Sequence, residues 1–390
     1  MIQPFSIDVG VGGRFHADRM VLALRAQFDA QLFTSFPKSR FPRIPAAAVH
    51  SFLWPEILFR GWKALGLDAY GGALKMAAFG RAMAAEIRRL NRASDLSLTW
   101  SSFGLEVMEQ GYARRYVTIR DSAHIDFQIE VLEAEYRRFN QRFPEHSFVR
   151  NREVKEYALS DRILVLSEFA KRTFLEKGFP EKKIKVLGLG ADLSLFTSGP
   201  VRTAPGPLRV IYFGTLSIQK GVKYLLEATK PLAGRDLTLT LVGSVDPEFA
   251  DTLAHYGHYT HFPPMPHSRL AQFIRDFDVF VLPSIHDGFA TVVPQAMASG
   301  LIPIVTNHCG AAELIQTGRN GFVVPAFSAE AIQSLLHALI RDPAQRVALA
   351  ETLRKTAPAL DWKHYESGLT QWVKEIVSSV PPRAGALQAA

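Results

Sequence analysis

Short apolar runs alternate with stretches of helical periodicity through both halves of the chain. An apolar run bounded by turn residues is typical of a buried strand. Strands that alternate with helices predict parallel sheets covered by helices on both faces. The predicted strands are Phe5–Val11, Ala30–Thr34, Leu96–Ser101, Tyr116–Ile119, Ile163–Leu166, Ile184–Leu187, Leu208–Phe213, Leu237–Val242, Val279–Leu282, Ile302–Val305 and Phe322–Val324.

A segment rich in proline and glycine separates the two halves. Residues 197–207 read TSGPVRTAPGP, which cannot continue a helix or a central strand. We therefore predict one doubly wound domain in residues 1–196, a linker in 197–207 and a second doubly wound domain in 208–360. Residues 361–380 begin DWKHYESGL and have a helical pattern, and we expect this helix to pack back on the first domain.

Composition is that of a globular protein, with 47% hydrophobic and 21% charged residues. Of the net charge of +8, +7 belongs to the first half, where residues 1–195 hold 29 Lys and Arg against 22 Asp and Glu. Such an excess suits anionic lipid headgroups or phosphorylated acceptors, and nucleic acid is not expected because no recognised nucleic-acid motif accompanies the charge. A single cysteine, no secretory signal pattern and no long apolar run predict a cytoplasmic location.

Two strand-to-helix loops of the second half carry side chains suited to a diphosphate and a sugar. In the first loop Gly214 permits a tight turn and Lys220 precedes an apolar-periodic helix. In the second loop Asp287 and Gly288 precede a helix that begins near Thr291. Free amides at a helix start favour phosphate or sugar oxygens. A solvent-facing lysine and an aspartate that only caps a helix are the structural alternatives.

A third loop is predicted to meet the first two. Gly310 and Glu313 follow the strand that ends at Val305. Ligands of open parallel sheets bind outside the carboxyl ends of the strands, so three such loops predict one ligand site. Gln295 lies one turn into the helix of the second loop, where it either reaches a ribose or faces solvent.

The stretch 279–300 resembles family 4 of the retaining glycosyltransferases. That family usually has a serine after a proline, then Glu-Gly-Phe-Gly, then a second glutamate before Ala-Met-Ala-x-Gly. This chain has Pro283-Ser284, Asp287-Gly288-Phe289-Ala290 and Gln295-Ala296-Met297-Ala298-Ser299-Gly300. Further similar segments are VGGRFHADRMVLAL from Val11, EYALSDRILVLSEFAKRTF from Glu156 and LGLGADLSLF ending at Phe196. The resemblance covers nearly the whole chain and implies the GT-B architecture, two facing Rossmann-like domains with a cleft between them.

The resemblance implies a role for each matched residue. Lys220 holds the diphosphate of a nucleotide-sugar donor, Asp287 contacts the donor sugar and Gln295 contacts the ribose. His124, in RDSAHIDFQ, stands where the family commonly has an active-site histidine, so His124, Lys220 and Asp287 are the predicted catalytic residues. The predicted donor-binding residues are Gly12, Gly13, Gly214, Thr215, Lys220, Asp287, Gly288, Phe289, Ala290, Thr291, Gln295 and Glu313.

The chain also departs from the family pattern. Aspartate and glutamine replace the usual glutamate pair, and Thr215 stands where many relatives have an arginine that shares the diphosphate charge. Aspartate keeps the charge, whereas glutamine bonds a ribose hydroxyl without charge assistance. We expect weaker donor binding rather than abolished chemistry. The alternative is a catalytically inactive subunit that binds a nucleotide or glycan.

No cofactor or metal is expected. The resemblance implies a metal-independent, retaining hexosyltransferase that takes a UDP- or GDP-sugar. Asp276-Phe277-Asp278 resembles an Asp-x-Asp metal motif but precedes a buried strand without further ligands. The histidines of the run HYGHYTHF are candidate zinc ligands. Its glycine argues against a rigid helical ligand face, and no nearby cysteine completes a closed site. Gly10-Val11-Gly12-Gly13 lacks the third glycine of a dinucleotide fingerprint, because Phe15 holds that position.

The first half is expected to recognise a saccharide or lipid-linked acceptor, in cell-envelope polysaccharide or glycolipid synthesis. Residues 36–67 mix aromatic and cationic side chains, which suits peripheral contact with an anionic membrane. An internal helix whose cations reach out to water is the alternative. The side chains concerned are Phe52, Trp54, Phe59 and Trp62 with Arg40, Arg43, Arg60 and Lys63.

Overall fold

Two parallel sheets form the framework of the computed structural model, which describes residues 5–64, 68–144, 147–202, 206–356 and 362–378. The first sheet has seven strands in the order β3-β2-β1-β4-β5-β6-β7, and the second has six in the order β10-β9-β8-β11-β12-β13. The strands are β1 Ser6–Val11, β2 Asp29–Thr34, β3 Val49–Ser51, β4 Leu96–Trp100, β5 Tyr116–Arg120, β6 Arg162–Val165, β7 Ile184–Val186, β8 Leu208–Phe213, β9 Leu237–Val242, β10 Tyr259–Phe262, β11 Val279–Leu282, β12 Ile302–Thr306 and β13 Phe322–Val324.

Helices connect these strands and cover the sheets, as parallel pairing requires. They are α1 Ala17–Arg25, α2 Trp54–Ala64, α3 Asp68–Arg89, α4 Leu105–Glu109, α5 Ile125–Arg138, α6 Ser147–Leu159, α7 Glu168–Glu176, α8 Val222–Thr229, α9 Pro247–Ala254, α10 His267–Phe273, α11 Val292–Ala298, α12 Ala329–Arg341, α13 Pro343–Lys355 and α14 Trp362–Ser378. The predicted fold class, two facing units with parallel sheets, is confirmed.

Every strand predicted from an apolar run is present, with ends that differ by at most one residue. The central strands are almost completely buried, and all five residues of β4 are inaccessible to solvent. Sequence analysis missed β3 and β10, the strands at one edge of each sheet. Edge strands pair on one side only and need no continuous apolar run, and β10 reads YTHF with two exposed residues.

Each sheet has its own hydrophobic core, and the last helix belongs to the first. The α14 side chains Tyr365, Leu369 and Val373 are fully buried in the core that β1, β2 and β4 build, and α14 packs on α1. Parts of the predicted domain boundaries, residues 1–4, 203–205, 357–361 and 379–380, lie outside the described residues.

The strand order places a topological switch point in each sheet. In the first sheet the order reverses between β1 and β4, and in the second between β8 and β11. Loops that leave such neighbouring strands in opposite directions open a crevice at the carboxyl edge of the sheet. The loops after β8 and β11 are those that carry Lys220 and Asp287.

Candidate functional site

The loops after β8 and β11 are bonded to one another at the carboxyl edge of the second sheet. Ile285 donates its backbone N–H to the carbonyl of Gln219 at 3.0 Å. Gly221 starts α8 in the left-handed conformation, with φ of 63°, and a Cβ there would lie 2.0 Å from the Pro283 carbonyl oxygen. Only glycine fits this close approach, so the sequence Lys220-Gly221 fixes the lysine beside the second loop.

Lys220 and Asp287 form an ion pair in this crevice. The ammonium donates to Asp287 Oδ2, and both side chains are largely shielded from solvent, with 27% and 12% exposure. The Lys220 backbone N–H bonds Ser217 Oγ at 3.2 Å, which fixes the start of the turn. The two residues predicted from separate loops are therefore in direct contact.

The loop after β12 completes the second-domain side. Asp287 donates its backbone N–H to the His308 carbonyl at 2.8 Å, and its own carbonyl accepts from Gly310 at 2.9 Å. Phe289 is buried, and its carbonyl accepts from the N–H of Ala311 at 2.9 Å. Three loops of the second sheet thus converge on Asp287.

Gly288 is one of the points where the second domain touches the first. A Cβ on Gly288 would lie 1.9 Å from the carbonyl oxygen of Asp121, which follows β5. Ser167, after β6, donates its hydroxyl to the Gly288 carbonyl at 2.8 Å. Glu313 also crosses the interface, since its carboxylate accepts the backbone N–H of Phe169 at 3.0 Å. Burial raises the pKa of Glu313, while this N–H bond opposes the shift.

The remaining second-domain residues surround this centre. Gly214 donates its N–H to the Val242 carbonyl at 2.9 Å, and the Thr215 carbonyl accepts from the Tyr212 hydroxyl at 2.6 Å. Ala290 has a φ of 62°, a left-handed conformation that favours the glycine of the family pattern. Thr291 is exposed at the start of α11.

Gln295 lies inside α11 and is buried, with 8% exposure, so it is not a solvent-facing position.

On the first-domain side, the glycine-rich loop after β1 is held by hydroxyls of the β2 loop. The Gly12 carbonyl accepts from Ser35 Oγ at 2.8 Å, and the Gly13 carbonyl accepts from Thr34 Oγ1 at 3.1 Å. Both glycines therefore lie at the switch point of the first sheet, and their role in binding a ligand stays a prediction.

His124 lies in an aromatic cluster of the first domain. Its ring is 2% exposed and packs against Tyr157 and Phe174, with ring centroids 5.1 and 4.8 Å away. Its Nδ1 accepts the backbone N–H of Asp126 and so caps α5. The catalytic role of His124 stays a prediction. Asp121, which also follows β5, is the residue that approaches Gly288 of the second domain.

Sequence analysis missed an aromatic and polar cluster around Asp121. The Trp100 indole donates to Asp121 Oδ2 at 2.8 Å, and His16 Nδ1 lies 3.9 Å from the same oxygen. The buried Asp121 Oδ1 and His16 Nε2 have no hydrogen-bond partner among the described residues. Phe15, with φ of 40° and 57% exposure, stacks on Trp100. Asp121 lies two residues after the end of the predicted strand Tyr116–Ile119, and that position was the available signal.

His286 is a second missed residue at the interface. The side chain is fully buried, and neither ring nitrogen has a hydrogen-bond partner among the described residues. Burial, assisted by the charges of Lys220 and Arg120, lowers the pKa of His286 to about 3. The ring is therefore neutral at physiological pH, and the cationic charge beside Asp287 comes from Lys220.

Metal ligands do not assemble at this site. Across the described ranges, no group of three or more His, Cys, Asp or Glu side chains is placed to hold a metal ion. The histidines of HYGHYTHF bond separate local groups: His255 the Asp251 carbonyl, His258 the Thr229 hydroxyl and His261 the Gly243 carbonyl. None of the helices that the structure describes has the length and apolar character of a membrane span.

Comparison with known proteins identifies the second domain. Residues 199–356 match the family model described as Glycosyl transferases group 1. The D-inositol 3-phosphate glycosyltransferase of Rhodococcus opacus (strain B4) is 27% identical over 236 residues, which are 55% of this chain and 53% of that protein. The putative colanic acid biosynthesis glycosyltransferase WcaL of Escherichia coli (strain K12) is 26% identical over 191 residues, 46% of this chain and 47% of WcaL. The chain spans about half the length of these curated relatives.

Solved structures show the architecture of the whole chain. Sucrose-phosphate synthase (tll1590) from Thermosynechococcus elongatus superposes with a TM-score of 0.68 at 20% identity, covering 96% of this chain and 99% of that one. Anabaena Alr3699/HepE, solved in complex with UDP-glucose, superposes with a TM-score of 0.62 at 16% identity, covering 97% and 100%. The fold is that of GT-B glycosyltransferases, and residues 199–356 are similar to the glycosyl transferases of group 1.

Proposed function

We propose that this protein is a retaining, metal-independent glycosyltransferase of family 4 that moves a hexose from a UDP- or GDP-sugar to a saccharide or lipid-linked acceptor. The observation that carries the proposal is the Lys220–Asp287 ion pair, which lies at the switch point of the second sheet where Gly288 meets the first domain. The similarity to HepE, whose structure contains UDP-glucose, supports a nucleotide-sugar donor.

Sugar transfer requires a cation close to the leaving group, which becomes more negatively charged as the sugar departs. As the sugar departs, negative charge develops on the nucleoside diphosphate, and a preorganised ammonium lowers that barrier. Lys220 exchanges Asp287 for the diphosphate, and the released carboxylate accepts hydrogen bonds from the donor sugar. The departing phosphate oxygen deprotonates the acceptor on the same face, so no protein nucleophile is required.

The acceptor belongs on the first-domain side of the cleft. Phe15 presents an exposed aromatic ring that stacks on Trp100, and the Trp100 indole bonds Asp121. One carboxylate oxygen of Asp121 has no hydrogen-bond partner among the described residues. An aromatic face packs against the apolar face of a sugar ring, and a carboxylate bonds its hydroxyls. A saccharide acceptor, free or lipid-linked as in cell-envelope polysaccharide or glycolipid synthesis, suits this pair.

A panel of nucleotides tests the donor. We expect UDP or GDP to raise the melting temperature more than ADP, CMP or NAD, because a ligand bound only by the folded state stabilises it. The matching UDP- or GDP-sugar is then incubated with the protein, and release of the nucleoside diphosphate is followed. Stabilisation by NAD alone contradicts the proposal. Stabilisation by a nucleotide without turnover of any donor sugar supports the inactive subunit instead.

Helix α2 supports peripheral attachment to an anionic membrane. Trp54, Ile57 and Leu58 are exposed by 47%, 64% and 53%, and Arg60 beside them is also exposed. Apolar side chains flanked by cations suit a headgroup interface. Two of the aromatic residues expected there are occupied elsewhere, since Phe52 packs on Phe79 and Phe59 lies under the Lys75 ammonium. The Lys63 side chain lies outside the described residues.

Sedimentation with vesicles tests this attachment. We expect the protein to pellet with phosphatidylglycerol vesicles and to stay in solution with phosphatidylcholine vesicles. The double variant Ile57→Glu/Leu58→Glu should lose the pelleted fraction about tenfold, because it places two charges in the apolar face. Leu159→Glu, at an exposed leucine of α6, is the matched control. Equal sedimentation of both variants contradicts attachment through α2.

A further inference from the structure

A basic cavity lies at the opposite edge of the second sheet from Lys220. It is formed where β8, β11 and β12 begin, together with α13 and the linker between the domains. In a parallel sheet the amino ends of the strands lie at the edge away from the carboxyl ends, so this cavity is separate from the proposed donor site. Its walls carry five arginines, Arg202, Arg209, Arg275, Arg346 and Arg354.

Positive charge in this cavity exceeds the negative charge that the described residues supply. Asp278 is the one carboxylate among the described lining residues, and its oxygens already accept from the Arg202 guanidinium and from the Arg209 backbone N–H. Asp276 lines an adjoining depression. Counting both aspartates, the five guanidiniums still leave a surplus of three positive charges.

Arg346 bears this surplus most directly. Burial lowers the pKa of the Arg346 guanidinium, Asp278 opposes the shift and the neighbouring Arg202 adds to it. A guanidinium charge that is partly desolvated is unfavourable unless anions compensate it, and the nearest carboxylate, Asp278, already pairs with Arg202. An anion in the cavity would provide the missing compensation.

Two buried polar atoms of residues that line the cavity have no hydrogen-bond partner among the described residues. One is the hydroxyl of Ser299, a residue that is 3% exposed. The other is Nε of Arg209, which lies 3.9 Å from Asp278 Oδ2, beyond hydrogen-bond distance. Buried polar groups are nearly always hydrogen-bonded, so these two donors call for an acceptor. An oxyanion supplies acceptors to both.

We propose that this cavity binds a phosphate group, either as free phosphate or as a phosphomonoester, at a site distinct from the donor diphosphate. Guanidiniums match phosphate oxygens in geometry and charge. The cavity, with a volume of about 40 Å³, has room for a single phosphate group. Gly199, Pro200 and Arg202 of the linker form part of the wall, so a bound phosphate ties the linker to α13.

Phosphate titration of the Lys220→Ala background tests this site, because that background removes the cation of the donor cleft. At constant ionic strength, we expect inorganic phosphate to bind and to raise the melting temperature. Adding Arg346→Gln should weaken phosphate binding about tenfold, since it removes one guanidinium that donates charge-assisted hydrogen bonds to the phosphate. Without phosphate, Arg346→Gln should melt no lower than its parent, because it removes a partly desolvated charge. Ser299→Ala is a second variant, expected to bind phosphate about threefold more weakly.

Arg341→Gln, at an exposed arginine outside the cavity, is the matched control and should bind phosphate as its parent does. A parallel titration with methyl phosphate separates the two ligand sources. Similar affinity for both anions indicates a phosphomonoester site, and affinity for inorganic phosphate alone indicates the free ion. Equal phosphate affinity in the parent, Arg346→Gln and Ser299→Ala overturns the proposal, as does an equal loss in Arg341→Gln. These results do not depend on the proposed glycosyltransferase activity.

Discussion

Lys220→Ala should lower the turnover of the donor sugar by about 100- to 1,000-fold, the loss that follows removal of one preorganised donor to a developing oxyanion. The Lys220 ammonium lies in the crevice between two loops of the second sheet and is the cation that contacts Asp287. Thr215 offers no second cation where many relatives have arginine, so the loss should fall at the upper end of that range. Release of nucleoside diphosphate under saturating donor measures it.

A structural loss must be separated from a chemical one in this variant. Removing Lys220 leaves Asp287 as an unpaired carboxylate with 12% exposure, which is itself destabilising. The double variant Lys220→Ala/Asp287→Asn should regain melting temperature but not turnover. Lys374→Ala, at an exposed lysine of α14, is the matched control and should keep wild-type turnover. Turnover of Lys220→Ala within threefold of wild type would show that Lys220 does not stabilise the diphosphate.

The place of Lys220 and Asp287 in the second sheet could be predicted because the signals for it are local. Continuous apolar runs define β8 and β11, and the residues that follow a parallel strand must lie at its carboxyl edge. Lys220 and Asp287 are 67 residues apart in the chain, yet this rule places them at one edge, and the structure joins them directly. The apolar pattern alone did not reveal their ion pair, which depends on the approach of Gly221 to the Pro283 carbonyl.

The first-domain side could not be predicted in the same way. Whether a histidine after β5 faces a cleft or a core depends on side chains that arrive from other elements. His124 meets Tyr157 of α6 and Phe174 of α7, and these contacts bury it. Likewise Phe15, His16 and Asp121 all meet Trp100, a residue distant from Asp121 in the chain. Local spacing contains no information about such long-range packing.

His124→Asn should reduce the loss of stability on acidification. Burial lowers the pKa of His124 to about 4 and that of His286 to about 3. Below the ordinary histidine pKa near 6.5, the unfolded chain takes up protons that the folded protein refuses, so stability falls as pH falls. Between pH 7 and pH 5 each histidine accounts for about 2 kcal/mol of that loss. Urea unfolding at the two pH values measures the difference.

The comparison is made between variants because other groups titrate in the same window. Burial raises the pKa of Glu156 to about 8, which stabilises the folded protein as pH falls and opposes the histidines. Asparagine does not titrate and still accepts the Asp126 N–H that His124 accepts, so the cap of α5 is kept. Relative to wild type, His124→Asn should therefore lose about 2 kcal/mol less between pH 7 and pH 5, and His124→Asn/His286→Asn about 4 kcal/mol less. His364→Asn, at an exposed histidine of α14, should follow wild type. Parallel stability curves for wild type and His124→Asn would mean that the His124 ring is protonated within the folded core.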